Sequence, residues 1–282
     1  MKISTEIASI AKYVGEEKAV ELVAKAGFDA FDFSMFAMAP YDWENKCIIA
    51  TGHPLQSKDY LTFARKLKKI ASDNGIVCNQ SHAPFPVAVK EIRSYLKRAI
   101  ECTAEAGGKI CIIHPDNNKS AKENAEMYLE LLPFAKEHSV KIATENMWNW
   151  ENDEARPAAC SDEESFIAHL RAVNDPYFVA CLDIGHAEMR GLHTSAPNMI
   201  RALGSHLQAL HIHDNDCHYD SHQLPFTMNI DFRAIVDALK EIGYAGYLTL
   251  EADRHCDGSN QEDVFHKVME MAQCARKLEA MF

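Results

Sequence analysis

The 282-residue chain carries 41 acidic against 29 basic residues, a formal net charge of −12, and 47% of its residues are hydrophobic. Such a hydrophobic fraction is ordinary for a globular protein with a large buried core. Because phosphate binding is driven by Lys and Arg, the acidic charge argues against a nucleic-acid partner. No run approaches the ~18 apolar residues of a membrane span. The start lacks a signal-peptide core and the nine cysteines form no C-x-x-C pair, so we expect a cytoplasmic protein with free thiols.

Short apolar runs alternate with amphipathic stretches along the whole chain. The runs predict β-strands at 2–9, 29–34, 76–82, 109–114, 140–145, 178–183, 207–212 and 246–251. Apolar spacings of three and four predict helices between and after them, at 16–26, 58–74, 89–107, 122–138, 161–173, 197–204, 231–242 and 261–277. Eight strands, each followed by a helix, imply a parallel sheet. Since a closed barrel takes about 250 residues, we predict one α/β domain over 1–282, a (β/α)8 TIM barrel.

Two long loops, 36–57 and 214–230, follow the second and seventh predicted strands. Both would leave the carboxyl ends of their strands, which is the face where such barrels carry out their chemistry. We interpret them as pocket walls or a lid, with plain surface insertion as the alternative. No Gly-x-Gly-x-x-Gly follows the first strand, which disfavours a dinucleotide-binding fold.

Four successive predicted strands end in an acidic or imidazole side chain, namely Glu145, Asp183, His211 and Glu251. In a parallel barrel these strand ends converge, and unpaired carboxylates in one place repel each other. A divalent cation removes that conflict and supplies a Lewis acid. Three carboxylates and one imidazole suit Mn²⁺, Mg²⁺ or Co²⁺, and Zn²⁺ is a further alternative. We therefore predict one divalent metal ion held by these four residues, with Mn²⁺ as the first choice.

A second group of polar residues lies close to the same strand ends. Its members are His82, His114, His186, Asp220 and His222. A single histidine there would often do no more than satisfy local hydrogen bonds. Together, these residues are better interpreted as substrate ligands or as ligands of further metal ions. Aromatic residues of the neighbouring loops, including Trp148, suggest a pocket in which a sugar ring stacks, with packing of the core or of a lid as the alternative.

Four short motifs carry a resemblance to a known family. They are Ala-Thr-Glu-Asn at 143–146, Leu-Asp-Ile-Gly-His at 182–186, His-Ile-His-Asp at 211–214 and Leu-Thr-Leu-Glu-Ala at 248–252. Nearly the whole chain resembles the xylose isomerase-like barrels, which include sugar isomerases, ketose 3-epimerases, inosose dehydratases and endonuclease IV. The resemblance implies that the four strand-end residues hold the common metal and that Glu145 and Glu251 also exchange the substrate's proton. It also implies that His186 contacts the substrate, that Glu151 adds a contact, and that the chain forms a homo-oligomer.

The predicted function is that of a metal-dependent isomerase or epimerase acting on a sugar, a sugar phosphate or a polyol. Proton abstraction next to a carbonyl would pass through a metal-stabilised enediolate, with two carboxylates as base and acid. Endonuclease IV offers the main alternative, since all nine of its zinc-ligand positions have counterparts here. That resemblance implies a phosphodiesterase or phosphatase with up to three Zn²⁺. A third hypothesis is an inosose-type dehydratase, and a fourth is a sugar-binding sensor without turnover.

Overall fold

The computed structural model describes all residues, 1–282, and its centre is an eight-stranded parallel sheet. The strands are β1 (Lys2–Glu6), β2 (Ala30–Ser34), β3 (Val77–His82), β4 (Ile110–Ile112), β5 (Lys141–Glu145), β6 (Phe178–Asp183), β7 (Leu207–His211) and β8 (Tyr247–Leu250). Each strand pairs with its sequence neighbours, and β1 pairs with β8. The ring closes between β7 and β8, where Ile212 N–H donates to Thr249 O and Glu251 N–H donates to Ile212 O, both at 2.9 Å. The predicted barrel is confirmed.

Eight helices surround the sheet and bury their apolar faces against it. They are α1 (Glu16–Ala26), α2 (Tyr60–Asp73), α3 (Leu96–Ala106), α4 (Ala121–Glu137), α5 (Glu163–Val173), α6 (Ala196–Leu203), α7 (Phe232–Glu241) and α8 (Val264–Glu279). α1 and α3 end at Gly27 and Gly107, whose φ values of 98° and 92° require a residue without a Cβ penalty. None of the helices combines the length and the apolarity that crossing a membrane requires.

The boundaries of two predicted elements were wrong. The first strand ends at Glu6 rather than at residue 9, and Ala8–Val14 forms an extra helix. The Glu6 carboxylate accepts the Ser9 N–H at 3.1 Å and also the Ser9 hydroxyl, which turns the chain into this helix. The apolar run over 7–11 fits a strand as well as a helix, so periodicity alone could not place the boundary. The predicted helix 89–107 is divided into a short turn, Lys90–Arg93, and α3.

The loops at the carboxyl ends of the strands form the rim of the barrel mouth. Residues 36–57 contain two short 3-10 turns and a two-residue hairpin, Tyr41–Asp42 with Cys47–Ile48. After β5, an antiparallel hairpin that the sequence did not predict pairs Trp148–Glu151 with Glu154–Pro157. Both segments stand beside the strand ends, so they form walls of the mouth.

The loop 214–230 is fastened by one buried carboxylate, that of Asp214. Its Oδ2 accepts the N–H groups of Thr227 and Met228 at 3.0 and 2.8 Å, and its Oδ1 accepts those of Asn215 and Ile230 at 2.9 and 3.0 Å. Four charge-assisted bonds to one side chain hold the loop in a single shape. This loop is therefore a fixed wall of the mouth.

Candidate metal centre

The four predicted strand-end residues meet in the barrel mouth. Glu145, Asp183 and His211 end β5, β6 and β7, and Glu251 directly follows β8. Their ligand atoms all lie within 4.8 Å of one another. His211 Nδ1 is 2.8 Å from Glu145 Oε1 and 3.3 Å from Glu251 Oε2. The most exposed of the four residues, Glu251, is only 7% accessible. The structure thus assembles the whole predicted set in one buried place.

Asp183 Oδ2 is buried and accepts no hydrogen bond, and Glu145 Oε2 is buried with His114 Nε2 3.1 Å away. The other oxygen of Asp183, Oδ1, accepts the His186 N–H at 2.7 Å and His213 Nε2–H at 3.0 Å. These bonds fix the carboxylate and leave Oδ2 free. Because an unpaired buried carboxylate oxygen is costly, a cation at this point relieves the site. Three carboxylates and one imidazole therefore fit a divalent metal ion.

The charges within the quartet are unequal. Burial raises the pKa of Glu145, but His211 and His114 outweigh burial and hold that pKa well below its usual value. Burial also raises the pKa of Asp183, and the neighbouring His186 and His213 lower it to about 2. For Glu251, burial prevails and raises the pKa well above its usual value. The surroundings thus favour the charged form of Glu145 and Asp183 and the neutral form of Glu251.

His82 and His114 lie on one side of the quartet. Their Nε2 atoms are 2.7 Å apart, and His114 Nε2 lies 3.1 Å from Glu145 Oε2. His82 Nδ1 is 3.5 Å from Glu251 Oε1. Burial lowers the pKa of His82 well below its usual value, so its ring is neutral. A neutral imidazole between two carboxyl groups can hydrogen-bond a substrate hydroxyl or bind a cation.

His186, Asp220 and His222 form a second group, on the other side of Asp183. Each histidine donates its Nδ1–H to a backbone carbonyl, His186 to Asn146 O at 2.9 Å and His222 to Glu251 O at 2.8 Å. Since a carbonyl can only accept, both rings carry a proton on Nδ1. Their Nε2 atoms face Asp220 Oδ2, each at 3.2 Å. Burial lowers the pKa of His186, but Asp183 and Asp220 raise it to about 10. Two protonated rings thus share one carboxylate, and a cation could replace both protons.

His213 joins the two groups, although no sequence pattern had assigned it a role. Its Nε2 lies 3.0 Å from Asp183 Oδ1 and 3.4 Å from Asp220 Oδ1. The ring stacks on His222 at 3.9 Å and fills the space beside Gly185, where a Cβ would lie 1.9 Å from His213 Cε1. A signal was present in the sequence, because a second histidine two residues after His211 points to the same face of an extended chain.

Aromatic side chains line the mouth around these groups. The Trp148 ring is half-buried, with its centroid 6.3 Å from that of His186, and Phe85 stacks on His114 at 5.0 Å. Trp150 packs against Tyr219 at 5.6 Å, so the hairpin touches the loop 214–230. Glu151 is exposed next to the turn of the hairpin, and its predicted contact with substrate stays a prediction.

The fold agrees with a comparison to known families. A family model described as xylose isomerase-like TIM barrel matches residues 20–274. The chain belongs to the xylose isomerase-like TIM barrel family. One relative is an uncharacterised protein of Methanocaldococcus jannaschii. It is 24% identical to this chain over 208 residues, which are 67% of this chain and 69% of the relative.

Solved structures of similar shape include several sugar epimerases. A D-tagatose 3-epimerase-like protein superimposes with a TM-score of 0.71 at 19% identity, covering 99% of both chains. A D-allulose 3-epimerase from Methylomonas sp. gives 0.71 at 16% identity, covering 100% of this chain and 98% of its own. The IolI protein, solved with a zinc atom, gives 0.70 at 20% identity, covering 99% and 97%. At such identities the likeness shows the shared barrel.

Proposed function

We propose that this family member is a metal-dependent isomerase or epimerase of sugars or polyols that moves a proton on the carbon next to a carbonyl. One observation carries the proposal. Glu145 and Glu251 face one another within a single buried quartet, with His211 Nδ1 2.8 Å from Glu145 Oε1 and 3.3 Å from Glu251 Oε2. A base and an acid on two sides of one site are what proton exchange at a carbon needs. Epimerases among the similar structures support the same class of reaction.

The quartet would hold one divalent metal ion, with Mn²⁺ as the proposed ion because of its oxygen-rich ligand set. When bound, the ion supplies a Lewis acid that polarises a carbonyl oxygen. Glu145 Oε2 takes the proton from the carbon, and the Glu251 carboxyl returns one. Because both carboxyl groups are buried, bulk water is kept from the carbanion that forms between these two transfers.

The surrounding side chains would orient the substrate. His186 and His222 hold Asp220, whose Oδ1 accepts no hydrogen bond within the protein and can take one from a substrate hydroxyl, and His82 and His114 can donate or accept. Trp148 offers an aromatic face at the rim on which a sugar ring can stack. Asp220 holds both protonated rings in place. Together with Glu151, these residues are the proposed substrate contacts.

A second candidate is a phosphodiesterase or phosphatase with several zinc ions. The observation that favours it is the orientation of His186 and His222, whose Nε2 atoms converge on Asp220 as metal ligands would. With His82, His114 and Glu145 as a further group within 4.8 Å, the mouth offers three ligand sets. The three ligand sets would hold the zinc ions, which would supply water activation and charge stabilisation for ester hydrolysis. An inosose-type dehydratase shares the first proton abstraction and differs only in its product.

The test is a panel of ketoses, inososes and their phosphates, incubated with Mn²⁺-loaded protein and followed by NMR. We expect one sugar to interconvert with its isomer or epimer, and Glu251→Gln to abolish turnover and weaken metal binding. Glu241→Gln, which changes a half-exposed residue paired with Arg201 on the outer helices, is the matched control. Near wild-type turnover by Glu251→Gln would disprove the acid–base pair.

Metal content separates the two candidates. The isomerase proposal expects about one Mn²⁺ or Co²⁺ per chain at full activity. Near three zinc ions per chain, with hydrolysis of a phosphate ester and no sugar turnover, would instead establish the hydrolase. Elemental analysis of the purified protein, coupled to both assays, measures this directly.

A further inference from the structure

His211 faces a carboxylate on each of its two ring nitrogens. Its Nδ1 points to Glu145 and Glu251 within the quartet, and its Nε2 lies 3.2 Å from Oδ2 of Asp32. Asp32 lies in β2 between Phe31 and Phe33 and is fully buried. An ionisable residue flanked by two buried phenylalanines is out of place in a strand of this kind, since barrel interiors are mostly filled by branched apolar side chains.

Polar side chains inside the barrel hold Asp32 in position. Gln80 Nε2 donates to Asp32 Oδ2 at 2.8 Å and lies 3.3 Å from Leu210 O. The Gln80 oxygen in turn accepts from Asn79 Nδ2 at 3.2 Å and from Thr249 Oγ1 at 3.4 Å. Side chains on β3 and β8 therefore fix one carboxylate on β2. The oxygen that this network orients is the one that faces His211.

The contacts of Asp32 are too few to make this buried carboxylate a stabilising residue. Its single ion-pair partner is His211, and no Lys or Arg reaches it. Its second oxygen, Oδ1, is buried and accepts no hydrogen bond. A buried carboxylate with so little compensation destabilises the fold relative to an apolar residue of similar size. The carboxylate at position 32 is therefore better explained by what it does for the neighbouring His211 ring.

We propose that Asp32 is a positioning residue of the metal centre, which takes the Nε2–H of His211 and thereby turns the Nδ1 lone pair toward the quartet. The inference rests on the proposed function only in treating the quartet as a cation site. A ligating imidazole that donates its other N–H to a carboxylate has a fixed tautomer, a fixed ring orientation and greater basicity. Without Asp32, the ring can rotate or present the wrong nitrogen, and the quartet loses its only nitrogen ligand.

The test measures Mn²⁺ affinity in the folded protein, by titration with electron paramagnetic resonance detection of free Mn²⁺. Mn²⁺ is the probe because it favours the oxygen-rich quartet over the histidine-rich second group. Asp32→Ala is expected to weaken binding about 10–100-fold. Asp32→Asn keeps an acceptor but removes the charge, and is expected to weaken binding by more than twofold but by less than Asp32→Ala does. Asp29→Asn, the same kind of substitution just before β2, where the carboxylate accepts the Ile3 N–H and pairs with Arg276 without touching Asp32 or His211, should bind like the wild type.

Thermal melting in chelator provides the second readout. A purely structural Asp32 would change the melting temperature and leave the Mn²⁺ affinity of the folded protein at the wild-type value. If Asp32→Ala fails to fold, Asp32→Asn decides. Binding within twofold of the wild type by either folded variant overturns the proposal. Absence of any sugar turnover by the wild type, together with weakened Mn²⁺ binding by the variants, would disprove the proposed function and leave the role of Asp32 standing.

Discussion

Replacing Gly185 with alanine tests the packing that connects the two ligand groups. The added Cβ would lie 1.9 Å from His213 Cε1 and 2.4 and 2.5 Å from the ring nitrogens. Ordinary contact begins at 3.4 Å, so the ring must retreat by about 1.5 Å. No positive φ is involved at this glycine, so the backbone accepts alanine and the clash is the whole perturbation.

The magnitude follows from what the displaced ring loses. Overpacking costs about 1–3 kcal/mol. The bond from His213 Nε2–H to Asp183 Oδ1, now 3.0 Å, is to a charged group and contributes about 1.5–3 kcal/mol. We therefore expect Gly185→Ala to destabilise the protein by about 2.5–6 kcal/mol. We also expect weaker metal binding, because Asp183 loses one of the two donors that orient it.

A double-mutant cycle with His213→Ala provides the assay. Urea unfolding is measured in chelator for the wild type, Gly185→Ala, His213→Ala and the double variant. If the clash with the ring is the cause, the alanine at 185 should cost less than about 1 kcal/mol once His213 is absent, which is a coupling of the size expected for residues in contact. An equal cost in both backgrounds would refute the reasoning.

Three further outcomes are expected. Burial raises the pKa of Glu6 to about 7 from 4.5, so the folded protein keeps a proton that the unfolded chain loses, and stability falls as pH rises between these values. Glu6→Gln should remove this pH dependence and raise the free energy of unfolding at pH 8 by up to about 3 kcal/mol over the wild type, as measured by urea unfolding. Parallel pH profiles of the two proteins would contradict this. Mn²⁺ at a hundredfold excess over Kd should add about 2.7 kcal/mol of stability by the same method, and unchanged unfolding would exclude a bound ion. Trp148→Ala should raise KM about tenfold with little change in kcat, and an unchanged KM would remove it from the pocket.

The barrel and the quartet could be predicted from sequence because both follow from local pattern. Each strand is a short apolar run before a helix, and in a parallel barrel the last residues of neighbouring strands share one rim. Glu145, Asp183, His211 and Glu251 all end or directly follow such runs. Their convergence therefore needed no knowledge of contacts between distant residues.

The remaining features depend on contacts that no local pattern encodes. The tautomers of His186 and His222 are set by the carbonyls of Asn146 and Glu251, which directly follow β5 and β8. The role of Asp32 requires knowing that β2 faces β7 across the barrel. The end of β1 was wrong for the opposite reason, since a local bond from Ser9 to Glu6 overrides an ambiguous apolar run.

The central claim is proton transfer at a metal-dependent carboxylate pair, and solvent deuterium tests it most directly. The product of the first sugar found to react should be collected in D2O and examined by NMR at the carbon next to the carbonyl. We predict deuterium at that carbon, with turnover abolished by chelation and restored by Mn²⁺. A product formed at the same rate without deuterium would mean a hydride shift or the return of the same proton by one shielded group, and turnover that survives chelation would mean that no metal takes part; either result would contradict the account.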